Sequence, residues 1–390
     1  MDSILYSTLA LIQKALWENG SATISFNNVE GVYAILKEHA IVILPAKLLG
    51  DITMPESLRT EWKKQILQKL YYYQNIVLAQ TEILTALANE GIPVVVLKGT
   101  SASQYYPNPE YRTMGDIDLL VKQKDFYLAE RTILSCGYST TESDHNIDRH
   151  ITLSKGFIQI ELHWRYASEN IIENPEEFDK MLFDDIQFGQ TVLSDPINGL
   201  VLLEHIAQHL NNGIGFRQII DWMMYVNKCL DDKMWDEKFI FLAENTGLEK
   251  LAIYVTRMCQ LFLGLKEENI TWCKCAEEDT CKNLLNYIAN CGNFGHSRSS
   301  WESGEITKLP SPLHPILFFR YLQNRGQRSW ILSQKHPVLK PFAWCYQSFK
   351  YIKMAKEQKK NGITVKTVYD EGDSRRCLFQ KVGISIKNDS

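Results

Sequence analysis

The 390-residue chain lacks a basic excess: 42 Lys and Arg stand against 46 Asp and Glu, a formal net charge of −4, with a pI near 6.2. Sequence-independent DNA binding needs a strong positive field and is not expected here. A nucleotide needs only two or three local cations and stays open as a partner. Long apolar runs are missing too. No stretch reaches the ~18 consecutive apolar residues of a membrane-spanning helix. The first residues, "MDSILYSTLALIQKALW", carry an acid at position 2 and no basic segment ahead of the apolar run. A secretory signal is therefore not expected. Cysteines in paired spacing are also lacking. Nine are scattered from Cys136 to Cys377, an odd number that suits a reduced, cytoplasmic chain better than a disulfide framework. The group Cys273, Cys275, Cys281 and Cys291 does not repeat the C-x-x-C step of a zinc ribbon, so free thiols are expected there. There is no internal repeat.

What is there divides into four stretches. Residues 1–90 read as helices: Leu5, Leu9, Ile12 and Leu16 fall at helical spacing, and "NNVEGVYAILKEH" gives a short second helix. From Pro55 a much longer pattern runs to Gly91, with Trp62, Ile66, Leu70, Tyr73, Val77, Leu84 and Leu87 along one stripe. Residues 91–195 change period. "IPVVVLK" is a β-branched run short enough for a buried strand, a short helix can open after Gly99, and "DIDLLVK" is a second strand. "QKDFYLAERTILSCG" is an amphipathic helix closed by Gly137, and "RHITLSK" and "FIQIELHW" flank a Lys155–Gly156 hairpin turn. Helical periodicity returns over 196–361, with a Gly/Ser/Pro-rich break near 292–315 read as a loop. Residues 362–390 are polar with weak periodicity and are expected to be mobile. The fold class expected is α+β, a small mixed α/β sheet flanked by amino-terminal and carboxy-terminal helical regions.

Two acids sit where a buried strand begins. Side chains at i and i+2 of a strand share a face, so Asp116 and Asp118 project together while Ile117, Leu119 and Val121 face the core. Two such carboxylates repel unless a cation lies between them, and oxygen-only ligands suit Mg²⁺ or Mn²⁺. A lone D-x-D can equally cap a strand at the surface. Three neighbours argue for the cation. Glu161 is a third acid at an equivalent position, with Ile158, Ile160 and Leu162 on the opposite face of its strand. "LKGTS" places Gly99 and Thr100 at a strand-to-helix turn, where free N–H groups can meet a phosphate. Lys98 could act on phosphate as a point charge, and Arg112 could fork onto its oxygens.

A Gly-Ser/Thr turn after a strand, D-x-D on the next strand and a lone acid on a later one resemble the signature of the DNA polymerase β-like nucleotidyltransferases. More narrowly, "LKG…YR…DIDLLV…IELHW" resembles a family of uncharacterised bacterial nucleotidyltransferases, members of which often lie among surface-polysaccharide genes. The resemblance is strongest over 92–165 and continues weakly to about 230. It implies that 91–195 is a polymerase β-like nucleotidyltransferase catalytic core. Gly99 and Thr100 match the phosphate turn, Asp116 and Asp118 the metal-binding pair, and Glu161 the third carboxylate. The interval from Gly99 to Asp116 is longer than in compact members, and Glu stands where many have Asp. The implied reaction moves a nucleoside monophosphate from an NTP to a hydroxyl acceptor and releases pyrophosphate, with Mg²⁺ or Mn²⁺ as cofactor. Glu161 would complete the metal nearer the acceptor or take its proton.

Weaker signals carry two readings each. His205 and His209 share a helix face, but "HIAQH" lacks the glutamate of a zincin; either they are ordinary packed histidines or one, His209, contacts the acceptor. His163 shares a face with Glu161 and is a candidate for acceptor contact or proton shuttling; His150 is similarly placed. Arg217 and Asp221, four apart on a helix, read as an exposed pair or a functional one. Tyr71, Tyr72 and Tyr73 suit packing on a long helix better than base stacking. Two other functions stay open: phospho-group transfer from a CDP-activated alcohol to a glycan, and non-catalytic nucleotide binding on the same fold. Oligomeric state, acceptor and preferred base are not readable.

Overall fold

The structure is a computed structural model that describes residues 3–17, 23–140, 149–292, 315–360 and 365–384. It begins with helices α1 (Ser3–Trp17), α2 (Val29–Glu38) and the long α3 (Glu56–Asn89). Asn28 caps α2 by accepting from the Gly31 N–H, which satisfies one of the free donors of a helix start. Gly91, at φ +71°, ends the α3 turn in a conformation that glycine adopts without strain.

The sheet follows: β1 (Val94–Leu97), the short α4 (Gly99–Ser103), β2 (Ile117–Val121), α5 (Phe126–Ser135), β3 (Ser139–Thr140), β4 (His150–Lys155) and β5 (Ile158–His163). Strand order is β1-β2-β5-β4-β3. Within this sheet of the described residues β2 and β5 run parallel and the other neighbours antiparallel. One face carries Val94, Val96, Ile117, Leu119, Val121, Ile158, Ile160 and Leu162, which pack with the second half of α3 and with α5. The other face carries Val95, Leu97 and Leu120, which join the helices.

Those helices are α6 (Pro175–Asp185), α7 (Asp195–Asn212), α8 (Phe216–Cys229), α9 (Asp232–Met234), α10 (Ile240–Thr246), α11 (Glu249–Leu263) and α12 (Glu278–Cys291). Their core is continuous with α1 and α2. Gln13 and Trp17 donate to the Phe262 and Leu263 carbonyls, tying α1 to the end of α11. The chain is thus an α+β fold, a five-stranded mixed sheet with helical regions on either side in sequence. No helix of the described residues is long and apolar enough to cross a membrane.

Three expectations change. The buried stripe of α3 is Trp62, Ile66, Ile76, Ala79, Ile83 and Leu87 rather than the heptad-like series through Leu70 and Val77. An α-helix drifts about 20° per seven residues, so a helix this long shifts its buried face. Trp62 and Ile66 serve the helical core, whereas Ile76 to Leu87 serve the sheet. The carboxy-terminal stretch, read as polar with weak periodicity, contains a helix, Val365–Lys381. Its end is anchored by buried Phe379, Val382 and Ile384 and by a Lys381–Glu277 ion pair at 3.1 Å. Arg217 and Asp221 are buried, not an exposed pair. The expected loop near 292–315 lies almost wholly outside the described residues.

Candidate active site

Strand register builds the acidic cluster. Asp118 pairs with Leu97 on one side and with Glu161 on the other, so Asp118 and Glu161 are direct neighbours across the parallel β2–β5 pair. Asp116 precedes β2 by one residue. Its backbone neighbourhood is held from α3: the Tyr72 hydroxyl donates to the Gly115 carbonyl at 3.0 Å. The structure therefore brings Asp116, Asp118 and Glu161 together, each offering an oxygen within 4.8 Å of the others. Asp118 is 3% exposed and Glu161 27%, so one acid is sealed in while the other reaches toward solvent.

Cations and imidazoles surround them. Lys98 sits at φ +52°, ψ −145°, a region that costs a non-glycine residue on the order of 1–3 kcal/mol. That bend directs its ammonium onto Asp118 at 2.8 Å. Burial opposes the ammonium charge, but Asp118, with Asp116 and Glu161 behind it, outweighs burial and holds Lys98 well above its ordinary pKa. His163 Nε2 lies 3.2 Å from Asp118 and 3.3 Å from Glu161. Burial pushes that imidazole down, the two carboxylates push it up, and the carboxylates prevail. Burial likewise pushes Glu161 up, yet His163 and Lys98 bring it below the usual carboxylate range. His150 pairs with His163 across β4–β5, their rings 4.8 Å apart. His150, Glu161 and His163 form a second group whose ligand atoms also lie within 4.8 Å of one another, and the two groups share Glu161.

The remaining expected residues fall into two sets. Gly99, at φ +45°, opens the five-residue α4, with the Asp116 carbonyl 3.8 Å from where a Cβ would stand. The Thr100 hydroxyl donates to Gln80 of α3 at 2.7 Å. Arg112 has its partner outside the cluster: its Nε and one terminal nitrogen each donate at 2.7 Å to the two Asp221 oxygens, a buried bidentate pair. The fork expected on phosphate is engaged here by a carboxylate remote in sequence. His209 lies on α7, its ring edge-to-face with His205 at 4.6 Å. Burial, helped by the Lys98 and Arg217 charges, pushes it down to about 4, so it is neutral near pH 7. Of the three tyrosines, Tyr71 is exposed and Tyr72 and Tyr73 pack against the sheet's core.

Sequence reasoning missed Tyr166 and Glu204. Lys98 Nζ stands 5.6 Å from the centroid of the Tyr166 ring, and the ring meets His163 edge-on at 5.7 Å. Glu204, wholly buried on α7, accepts from the Ser168 N–H at 3.1 Å and from Gln208. Burial raises its carboxyl to about 7. A glutamate inside the apolar run "LVLLEHIA" was the available signal.

The model of a family described as uncharacterised nucleotidyltransferases matches residues 27–264. The chain belongs to that family. It is accordingly an enzyme, a transferase of phosphorus-containing groups, and its substrate class is the NTP. The match covers the sheet, every residue of the cluster just described and the helices α2 to α11. Comparisons with curated proteins and with solved structures give no match.

Proposed function

We propose that the chain is a Mg²⁺-dependent nucleotidyltransferase that transfers a nucleoside monophosphate from an NTP to a hydroxyl acceptor and releases pyrophosphate. The observation that carries this reading is the meeting of Asp116, Asp118 and Glu161 beside the Gly99 turn. The donor set fits a hard divalent cation, since three carboxylates offer oxygen only and converge with more negative charge than Lys98 alone neutralises. Asp116, Asp118 and Glu161 would hold such ions, which when bound supply positive charge to the triphosphate oxygens.

The chain's own residues do the rest. Lys98, Gly99 and Thr100 sit where the triphosphate would pass the acidic cluster, and Lys98 would move from Asp118 to a phosphate oxygen. Glu161, more exposed than Asp118 and 3.3 Å from His163, would accept the acceptor's hydroxyl proton. One P–O bond forms to the acceptor oxygen, the bond from the α-phosphorus to the bridging oxygen breaks, and pyrophosphate leaves. His163 holds Asp118 and Glu161 at a fixed spacing; His209 is close enough to feel Asp118 and is a candidate acceptor contact. Nine free cysteines support a reducing, cytoplasmic setting, and the reading extends to surface-polysaccharide metabolism.

The test is thermal stabilisation by each of the four NTPs, with and without Mg²⁺, in the wild type and in Asp118→Asn. Ligand binding to the native state raises the melting temperature by mass action. A Mg²⁺-dependent rise with at least one NTP, lost in a folded Asp118→Asn, supports the reading. An equal rise in that variant removes the acidic cluster from nucleotide binding and with it the proposal. Pyrophosphate in the products distinguishes nucleotidyl transfer from phospho-alcohol transfer, which would release a nucleoside monophosphate.

A further inference from the structure

Next to the acidic cluster three buried polar atoms have no hydrogen-bond partner among the described residues: His163 Nδ1, Tyr166 Oη and Glu204 Oε2. The residues are 5%, 2% and 0% exposed. Buried polar groups are almost always satisfied, and one left over costs on the order of 1–3 kcal/mol. Three on adjoining residues therefore point to a missing partner. Their adjacency is traced by contacts. Asp118 holds Lys98, Lys98 stands over the Tyr166 ring, Tyr166 meets His163, and Ser168, two residues further on, donates to Glu204. The Glu204 charge also acts on the Tyr166 phenol. Other bonds of these side chains are spent elsewhere: Glu204 receives Ser168 and Gln208 on Oε1, and His163 uses Nε2 on the carboxylates.

We infer that His163, Tyr166 and Glu204 form a binding site for a vicinal diol at the edge of the catalytic cluster. The inference rests on the nucleotidyltransferase reading and adds a ligand class to it. Each of the three atoms donates or accepts according to where its proton lies. A hydroxyl does both, so it meets any protonation state of the set, whereas an ammonium only donates and a carbonyl only accepts. Two adjacent hydroxyls offer two donors and spare lone pairs, enough for all three atoms. Lys98 beside Tyr166 disfavours a cationic ligand. A vicinal diol can come from the ribose of the NTP or from a polyol acceptor.

The experiment is calorimetric titration in Mg²⁺ of the full chain with the four NTPs and their 2′,3′-dideoxy counterparts. The same titrations are repeated in the presence of ribitol. Tyr166→Phe removes one oxygen and keeps the ring contacts; Glu204→Gln is the second variant should the first fail to fold. A dideoxy penalty of about tenfold in Kd that disappears in Tyr166→Phe or Glu204→Gln assigns the diol to the nucleotide. Direct ribitol binding that is weakened about tenfold in either variant assigns it to the acceptor. NTP binding with no dideoxy penalty and no ribitol binding overturns the inference alone, as does either effect persisting unchanged in both folded variants. Absence of any Mg²⁺-dependent NTP binding overturns the nucleotidyltransferase reading instead, and ribitol binding that is sensitive to both variants would still uphold the site. A crystal structure grown with ribitol and NTP that holds only a water against the three atoms also overturns it.

Discussion

Arg112 was expected on phosphate and is found on Asp221, and the difference can be measured. Asp221 is 1% exposed and accepts three hydrogen bonds at 2.7 Å, two from Arg112 and one from the Tyr106 hydroxyl. Arg217 also lies in its field. Asp221→Ala leaves the Arg112 charge buried without its partner, which costs about 3–5 kcal/mol, and the Tyr106 phenol unsatisfied, a further ~1–3 kcal/mol. Replacing both charges by apolar groups of similar volume removes the penalty rather than exposing it. In a Tyr106→Phe background, Arg112→Met with Asp221→Leu should be within about 2 kcal/mol of its parent, while Asp221→Leu alone should lose at least twice that. Urea unfolding of the Tyr106→Phe parent, Arg112→Met, Asp221→Leu and the double variant yields the coupling directly. The reasoning is refuted if Asp221→Ala costs under about 1 kcal/mol, as an exposed pair would. It is equally refuted if the folded apolar double variant loses Mg²⁺-dependent NTP binding, which would return the guanidinium to the phosphate.

Other outcomes are open to the same tools. His39 is wholly buried; the Phe216 N–H donates to its Nδ1 at 3.2 Å and its Nε2 faces the Ala289 carbonyl at 3.3 Å. That arrangement favours the neutral ring, and burial lowers its pKa to about 4. With an unfolded value near 6.5, the unfolded chain takes up the proton first. Stability is then full above about pH 6.5 and falls as pH drops toward 4, by about 3 kcal/mol in all. His39→Asn should flatten that slope in urea midpoints; an unchanged slope would assign it to other groups. Gly199→Ala puts a methyl into the Tyr225 ring across the α7–α8 contact, so a loss of about 1–3 kcal/mol or more is expected, read as a lowered melting temperature. Because His150 adds an imidazole nitrogen beside Glu161, Mn²⁺ should bind more tightly than Mg²⁺. His150→Ala should narrow that preference in Mn²⁺ titrations followed by electron paramagnetic resonance.

Much of the candidate site was legible because strand parity is strict. Asp116, Asp118, Glu161 and His163 follow from period-two alternation, and Ile117, Leu119, Ile160 and Leu162 from its complement. Lys98 and Gly99 were legible as a turn but not as a strained backbone, since no residue type marks a lysine at positive φ. Arg112 could not be placed, because its partner lies on α8, remote in sequence and brought in only by packing. Tyr166 and Glu204 were missed for the same reason: the first lies in a segment without period and the second in a helix that reads as core. The α3 stripe failed where one helix serves two cores.

The in-register pairing of Asp118 with Glu161 makes the residue spacing along β5 a determinant of the proposed chemistry. A single residue inserted between Ile158 and Gln159 would swing the glutamate to the apolar side and bring Ile160 opposite Asp118. An insertion of two residues keeps the face but slides the glutamate about 7 Å along the strand and out of register with Asp118, so the proposed chemistry constrains the length of this strand as well as its parity.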